Sequence, residues 1–533
     1  MNRTDVAIIG GGLAGLTLAL QLRARLPDLS ITVIERNTLP LPEAAHKVGE
    51  STVEIGAHYL DTVLGLEEHL REHQLRKFGF RFFFSDGTRE IDAVTELGAS
   101  RYLHTPGYQL DRGILENFLC ERVRALDMQL VTGATVREVA LSESGAHLLR
   151  YVVEGQDLEL AADWLVDASG RAGLLRQQLD LKVDNGHRAN AAWFRLSTRV
   201  EIDDWSGDES WQARCYARER WLSTNHLVGP GYWVWLIPLS SGSHSIGIVA
   251  DEDMHPLRSY NSFERAVTWL RTHQPRLAEI VAGARDQLQD FIALRHFSYG
   301  CKRVFSPRRW ALTGEAGLFL DPFYSPGTDF IAISNTYITD LVARERAGES
   351  IEMHARIYEQ IYFSFYESTL VLYRDQYPMF GDAEVMPAKV IWDYAYYWGI
   401  LCQFFFQHRL TDIVSLSRLK RELSATQVLN LRVQELLRVW SRAQRPVNPA
   451  RMLDQAALPW FAELNRSLGD ALDEAGFQAR IRRNTALLHE LAAEILARAR
   501  QAVPDIDAVE LERALAEFAA PPAAESLLFR PAA

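Results

Sequence analysis

The chain is poor in cysteine, with four in 533 residues. Cys120, Cys215, Cys301 and Cys402 lie far apart with no C-x-x-C pair, so neither a disulfide framework nor a zinc site is expected, and a reducing cytosol is the implied compartment. Basic residues are not in excess either: 57 Lys+Arg against 69 Asp+Glu leave a net charge of −12. That argues against a dedicated nucleic-acid or anionic-membrane surface and for a small-molecule partner. No apolar run approaches the ~18 residues a membrane-spanning helix needs. Internal repeats and low-complexity linkers are missing too. What is present, 47% hydrophobic and 24% charged residues, suits a globular chain with several packed layers and more than one domain.

The first thirty-odd residues organise the rest. Asp5-Val-Ala-Ile-Ile-Gly-Gly-Gly-Leu-Ala-Gly15 is an apolar strand entering a glycine turn, a helical pattern follows, and Ile31-Thr-Val-Ile-Glu35 is a second strand ending in an acid. This is a complete βαβ unit for a dinucleotide, and its continuation into Glu35 separates it from a signal sequence. Gly10 closes the turn, Gly12 admits a pyrophosphate to the helix N-terminus opened by Leu13 and Ala14, and Gly15 lets helix and strand pack closely. Glu35, about 20 residues further on, is placed to accept from a ribose, with Arg36 beside it.

Further along, Val48-Gly-Glu-Ser51-Thr52 sits where the chain should return to the cofactor; its hydroxyls suit a flavin edge or ribityl chain, or they cap the next helix. Leu75 to Phe84 reads as a helix end feeding an aromatic strand that walls a pocket, with Lys77 at its head. By itself an isolated lysine is a solvated surface group. Arg112 opens an amphipathic helix and either braces the cofactor's phosphates or forms a surface ion pair. Leu158 to Asp167 is a buried strand leaving through Asp-Ala-Ser-Gly170, a second element of the nucleotide domain. From about Ala191 to Asp251 short alternating runs rich in Trp, Tyr and Val predict an antiparallel sheet roofing the substrate, with Trp233, Trp235, Ile237 and Pro238 on one strand. Packing alone accounts for those tryptophans. Arg309 to Asn335 carries a strand, Gly314-Glu315, Asp321-Pro322 and Ser325-Pro326-Gly327-Thr328 before an apolar helix, whose N-terminal N–H groups would face the reduced flavin's N1–C2=O edge. Beyond Ala347 the pattern is helical to about Ala520, a cap or an interaction surface, and the tail after Ala520 is expected to fray.

Three stretches, Gly10 to Gly15 with Glu35, Asp167-Ala-Ser-Gly170, and Gly314-Glu-Ala-Gly-Leu-Phe-Leu-Asp-Pro322, resemble the cofactor motifs of the FAD-dependent monooxygenases of the hydroxylase type. Trp233-Val-Trp-Leu-Ile-Pro238 is similar to the W-x-W-x-I-P signature of the flavin-dependent halogenases, and Lys77-Phe-Gly-Phe-Arg-Phe82 resembles the segment carrying their active lysine. The resemblance spans residues 5 to 345. It implies FAD used as FADH2 from a separate flavin reductase, oxygen forming a C4a-hydroperoxide, halide attacking it, and hypohalous acid travelling to Lys77 beside an electron-rich aromatic, free or carrier-tethered. Phe82 and the tryptophans would line that pocket, and Tyr324 and Ser325 would stand in the catalytic segment. Two departures stand out: Glu315 replaces the usual Asp, and Pro326 has no N–H to offer a halide. Tyr324 also stands where the tryptophan-chlorinating branch keeps a glutamate, which argues against free tryptophan.

The expected fold is therefore α/β: a Rossmann-like FAD-binding domain at 1–190 with a return segment at 291–345, an antiparallel-sheet substrate region at 191–290, and a helical C-terminal cap at 346–533. The alternatives to halogenation are a halide-independent flavin monooxygenase or dehydrogenase, and a non-catalytic flavin-binding protein.

Overall fold

The structure is a computed structural model that describes residues 2–42, 49–85, 87–215, 217–444, 447–517 and 526–529. Val48 and the tail 520–524, both singled out by the sequence, lie outside the described residues. The chain forms two compact units, one of residues 1–74, 110–186 and 297–366, the other of 75–109, 187–296 and 367–533.

In the first unit, strand Asn2–Ile9 lies between Ile31–Ile34 and Gln156–Asp167, all parallel, and Gln156–Asp167 continues to Trp310–Leu312. Residues 6–9, 31–34 and 164–167 of these strands are buried on both faces. Helix Leu13–Arg25 follows the glycine turn and buries most of its length, from Leu13 to Leu22. Helix Gly327–Arg346 is tied to it by Asn335, whose Nδ2 donates to Ala14 O at 3.2 Å and to the hydroxyls of Thr17 and Tyr59 at 3.1 and 3.0 Å.

The second unit is built on an eight-stranded sheet, ordered Leu288–Leu294, Ala189–Leu196, His244–Asp251, Tyr232–Pro238, Thr224–Gly229, Phe80–Phe84, Glu96–Gly98 and Met452–Asp454. The antiparallel run expected at about 191–251 is present, Leu288–Leu294 adds a further antiparallel strand, and two parallel pairings extend the sheet, Thr224–Gly229 with Phe80–Phe84 and Met452–Asp454 with Glu96–Gly98. The period of two sorts side chains to opposite faces. Phe83, Phe194, Leu227, Val234 and Ile246 join the main core with Phe263, Trp269 and Leu277 of the covering helices. Phe80, Phe82, His226, Trp233 and Trp235 therefore take the other face.

Two sequence expectations are corrected here. Leu75–Lys77 is a strand rather than a helix end: the preceding helix stops at His73, and Lys77 closes a two-stranded ladder with Gly107–Gln109 instead of heading the aromatic strand. Gly79, at φ +78°, makes the turn between the two strands, a conformation L side chains rarely take. The C-terminal half is not uniformly helical either, since Met452–Asp454 adds an edge strand. Its neighbours strap it on. Thr95 N donates to Asn448 Oδ1 at 2.8 Å, Ser100 N to Asp454 Oδ1 at 2.9 Å and Thr105 N to Asn465 Oδ1 at 2.9 Å. Helical periodicity on either side masks three residues whose structure is set by a distant strand.

Candidate functional site

The glycine turn behaves as its spacing demands. A Cβ on Gly10, at φ +108°, would stand 2.3 Å from Ala168 O, and one on Gly15 would stand 2.0 Å from Gly10 O. Gly12 differs: its backbone is extended and nothing lies within 4 Å of where its Cβ would be. The first intrahelical bond comes from Leu16 N to Gly12 O at 3.0 Å, so the N–H groups of Leu13, Ala14 and Gly15 point out of the helix end toward that space. Glu35, 7% exposed, accepts from Gly11 N at 2.6 Å and from Asn37 N at 2.8 Å. It thus braces the turn as well as ending its strand, and Gly11, unmarked in the sequence reading, is required because a Cβ there would press on Glu35 Cβ at 2.8 Å. Arg36 is exposed.

Asp167 is fully buried and accepts from Ser169 N at 2.9 Å and Leu175 N at 2.7 Å, holding the strand exit. Desolvation pushes its carboxyl above the usual range, against those bonds and the Arg176 charge. The Gly314 turn, at φ +59°, returns to the same place: its Cβ would lie 3.0 Å from Ala14 Cβ. Glu315 is raised in pKa by desolvation, opposed by the Arg171 and Arg112 charges, with Arg171 Nη1 3.6 Å from its carboxylate. Arg176, which the sequence reading passed over, donates to Glu315 O at 2.9 Å and Gly317 O at 3.3 Å and stacks on Tyr299 at 4.1 Å. Only the fold reveals that role, because its partners lie some 140 residues away.

Arg112 is no surface residue. Its Nε and Nη2 reach Glu116 Oε1 at 3.1 and 2.5 Å, and Nη1 donates to Gly49 O at 3.3 Å. Ser51 and Thr52 are buried immediately before the helix Glu54–His58, whose N-cap position is Val53. Pro322 and Tyr324 are half-buried, and Asp321 caps the turn they form by accepting from Phe323 N at 2.9 Å. Ser325 takes the left-handed conformation at φ +52°, which costs a serine about 1 kcal/mol or more. The helix then opens with Phe330 N bonded to Pro326 O at 3.1 Å, leaving the N–H groups of Gly327, Thr328 and Asp329 at its end. Gly327 is exposed and Thr328 buried, and Pro326 adds no donor.

In the second unit Lys77 is 5% exposed, with Nζ 3.4 Å from the Phe80 ring centroid. An ammonium over an aromatic face is a cation–π contact, and burial makes it stronger. Phe80 also meets His226 at 5.3 Å and Tyr394 at 6.1 Å, and His226 stacks on Phe82 at 4.7 Å. Trp233 continues the wall at 5.3 Å from His226, donating Nε1 to the Tyr377 hydroxyl at 3.0 Å. Trp235 donates to Ser245 Oγ at 3.1 Å and lies across Gly247, where a Cβ would collide with its ring at 2.2 Å. Ile237 and Pro238 complete the buried strand. The aromatic and lysine residues flagged in sequence are thus brought together. His226 and Tyr394 were missed, and strand alternation alone could have found the histidine.

Residues 3–259 match the family described as an FAD binding domain. The chain is 27% identical over 472 residues to the flavin-dependent halogenase chlA of Dictyostelium discoideum, covering 80% of this chain and 76% of that one. It is 24% identical over 366 residues to the 1H-pyrrole-2-carbonyl-(peptidyl-carrier protein) chlorinase of Pseudomonas fluorescens, covering 65% and 76%. Among solved structures, halogenase PltM in complex with phloroglucinol and FAD superposes with a TM-score of 0.65 at 17% identity, over 93% of this chain and 96% of that one. The fold and the glycine cradle define an FAD-dependent oxidoreductase. Within that class the chain is similar to the flavin-dependent halogenases over most of its length.

The residues present fit FAD. Gly12 leaves room at a helix N-terminus, the requirement for a pyrophosphate. Asp111, fully buried immediately before Arg112, has both carboxylate oxygens without a hydrogen-bond partner, which a cofactor hydroxyl would satisfy. Among the described residues no group of three or more His, Cys, Asp or Glu could hold a metal, and no helix is long and apolar enough to cross a membrane.

Proposed function

We propose that this enzyme halogenates an electron-rich aromatic small molecule, free or tethered to a carrier protein, using FADH2 supplied by a separate reductase and molecular oxygen. FADH2, when bound, would activate molecular oxygen, which supplies the oxidising equivalent that turns halide into an electrophile. The chain's own residues supply the rest. Gly12 and the N–H groups of Leu13 to Gly15 would hold the pyrophosphate, with Glu35 and Asp167 bracing that cradle. Lys77 would donate a hydrogen bond to the electrophilic halogen, or carry it as a haloamine, beside the aromatic substrate. The single observation carrying this reading is the buried Lys77 amine against Phe80: an unusual site for an ammonium, and a dry one in which a positive halogen is protected from water.

A second reading, halide-independent hydroxylation or dehydrogenation, draws on Pro326, which withholds a backbone donor where an anion would be gripped. Incubation with FADH2, oxygen and a phenol or pyrrole, with and without bromide, separates the two by mass spectrometry. A brominated product supports the first reading. A gain of oxygen or loss of two hydrogens, indifferent to bromide, overturns it and selects the second.

A further inference from the structure

We propose that His226 is the general base that ionises a phenolic substrate beside Lys77. The inference rests on the halogenase-like reading and names its substrate class: a hydroxylated aromatic ring rather than a pyrrole or an indole.

His226 lies on the site face of the sheet, 1% exposed, in register with Phe82 on one side and Trp235 on the other. Phe80, Phe82 and Trp233 pack around its ring, and a phenylalanine would pack there without the cost of desolvating an imidazole. The residue that most needs substrate nearby, Lys77, shares a ring with it: Nζ is 3.4 Å from one Phe80 centroid and the imidazole centroid 5.3 Å from the same point. A cation and a base that both border Phe80 are the two groups a phenol held beside that ring would require, one to take the proton and one to stabilise the oxyanion. From the packed elements, Lys77 and Tyr394 approach His226 across Phe80, and Tyr377 approaches it across Trp233. A neutral imidazole is a competent base near neutral pH.

The step balances with hypohalous acid as oxidant. The imidazole nitrogen takes the phenol proton, and the ring carbon ortho or para to oxygen attacks the halogen. The C–X bond forms, the X–O bond breaks and hydroxide leaves. That hydroxide removes the ring proton as water, and the imidazolium returns its proton to the phenolate oxygen.

The test uses the full chain loaded with FAD and two readouts. In turnover, a phenol is compared with its O-methyl ether, which has no proton to give. Parent kcat/KM for the phenol should fall on the acid side as the imidazole protonates. In His226→Gln the phenol-over-ether preference should drop at least tenfold and the acid limb disappear. In binding, 4-nitrophenol should ionise at least one pH unit lower when bound to parent than when free, and this shift should vanish in His226→Gln. An unchanged preference and acid limb in His226→Gln overturns the inference. So does a nitrophenol shift that survives in His226→Gln but is lost in Lys77→Gln. Should His226→Gln fail to fold, the parent decides, and absence of both its acid limb and its nitrophenol shift overturns the inference. A parent that ionises nitrophenol through His226 yet halogenates no phenol overturns the halogenation reading alone.

Discussion

Gly12→Val separates cofactor binding from folding. The three motif glycines are chemically alike but sit in different surroundings. A side chain at Gly15 meets backbone at 2.0 Å and one at Gly10 at 2.3 Å, so substitution there must move the strands. At Gly12 the backbone is extended, φ −87° and ψ −172°, and nothing lies within 4 Å of the new Cβ. The apo protein should therefore keep its stability to within about 1 kcal/mol, since losing glycine's freedom in the unfolded chain is mildly stabilising. Valine occupies the space into which the helix N-terminus points. A displaced pyrophosphate loses hydrogen bonds to N–H groups that are charge-assisted, each worth about 1.5–3 kcal/mol. Two such bonds correspond to at least a hundredfold in Kd. The assay is thermal melting of apo protein with and without FAD, plus fluorescence titration. Parent should gain about 2.7 kcal/mol at an FAD concentration of 100 Kd, and Gly12→Val should show the apo melting temperature and almost no FAD-dependent rise. Parental affinity in Gly12→Val would refute the cradle. A collapsed apo melting temperature would refute the claim that the space beside Gly12 is open to a ligand.

Lys77→Ala should keep FAD binding and FADH2 oxidation by oxygen while abolishing product formation, and Lys77→Arg should fail likewise because a guanidinium stays protonated and is wider; parental turnover in either would return Lys77 to a packing role. Acid should destabilise the protein. His244 is fully buried, and burial lowers its pKa to about 3; burial together with the neighbouring His73 lowers that of His69 to about 4. Their folded values lie below the unfolded ~6.5, so their stabilisation is whole above that pH and is lost as pH falls toward 4 and then 3. His244 alone is worth on the order of 4 kcal/mol across that window, and His244→Gln should flatten the slope of melting temperature against pH by about one proton. Asp454→Ala removes an acceptor of Ser100 N, Ser100 Oγ and Ala456 N. It should cost about 1–3 kcal/mol, read by denaturant melting; an unchanged midpoint would mean that the strap on the edge strand is dispensable.

The sequence by itself determined the nucleotide-binding half. Gly10, Glu35 and Asp167 lie at strand ends, and Gly12 and Gly15 at the start of the following helix, where local sequence dictates backbone conformation, so spacing alone carried the geometry. The aromatic strands were legible for a similar reason: alternation with period two assigns Trp233 and Trp235 to one face before any partner is known, whereas Phe82 joined them through the family resemblance. Tertiary structure decided what no local pattern encodes. Lys77 ends a small ladder rather than heading the aromatic strand, because its hydrogen-bond partners are Gly107–Gln109, thirty residues away. Met452–Asp454 is a strand only because Glu96–Gly98 presents an edge to it, amid residues that otherwise read as helix. Arg176 acts through carbonyls some 140 positions distant, and His226 stands out only when the fold brings it to Phe80, the ring that Lys77 also covers. Each is a long-range pairing, and a single sequence records the residues that pair without recording which ones meet.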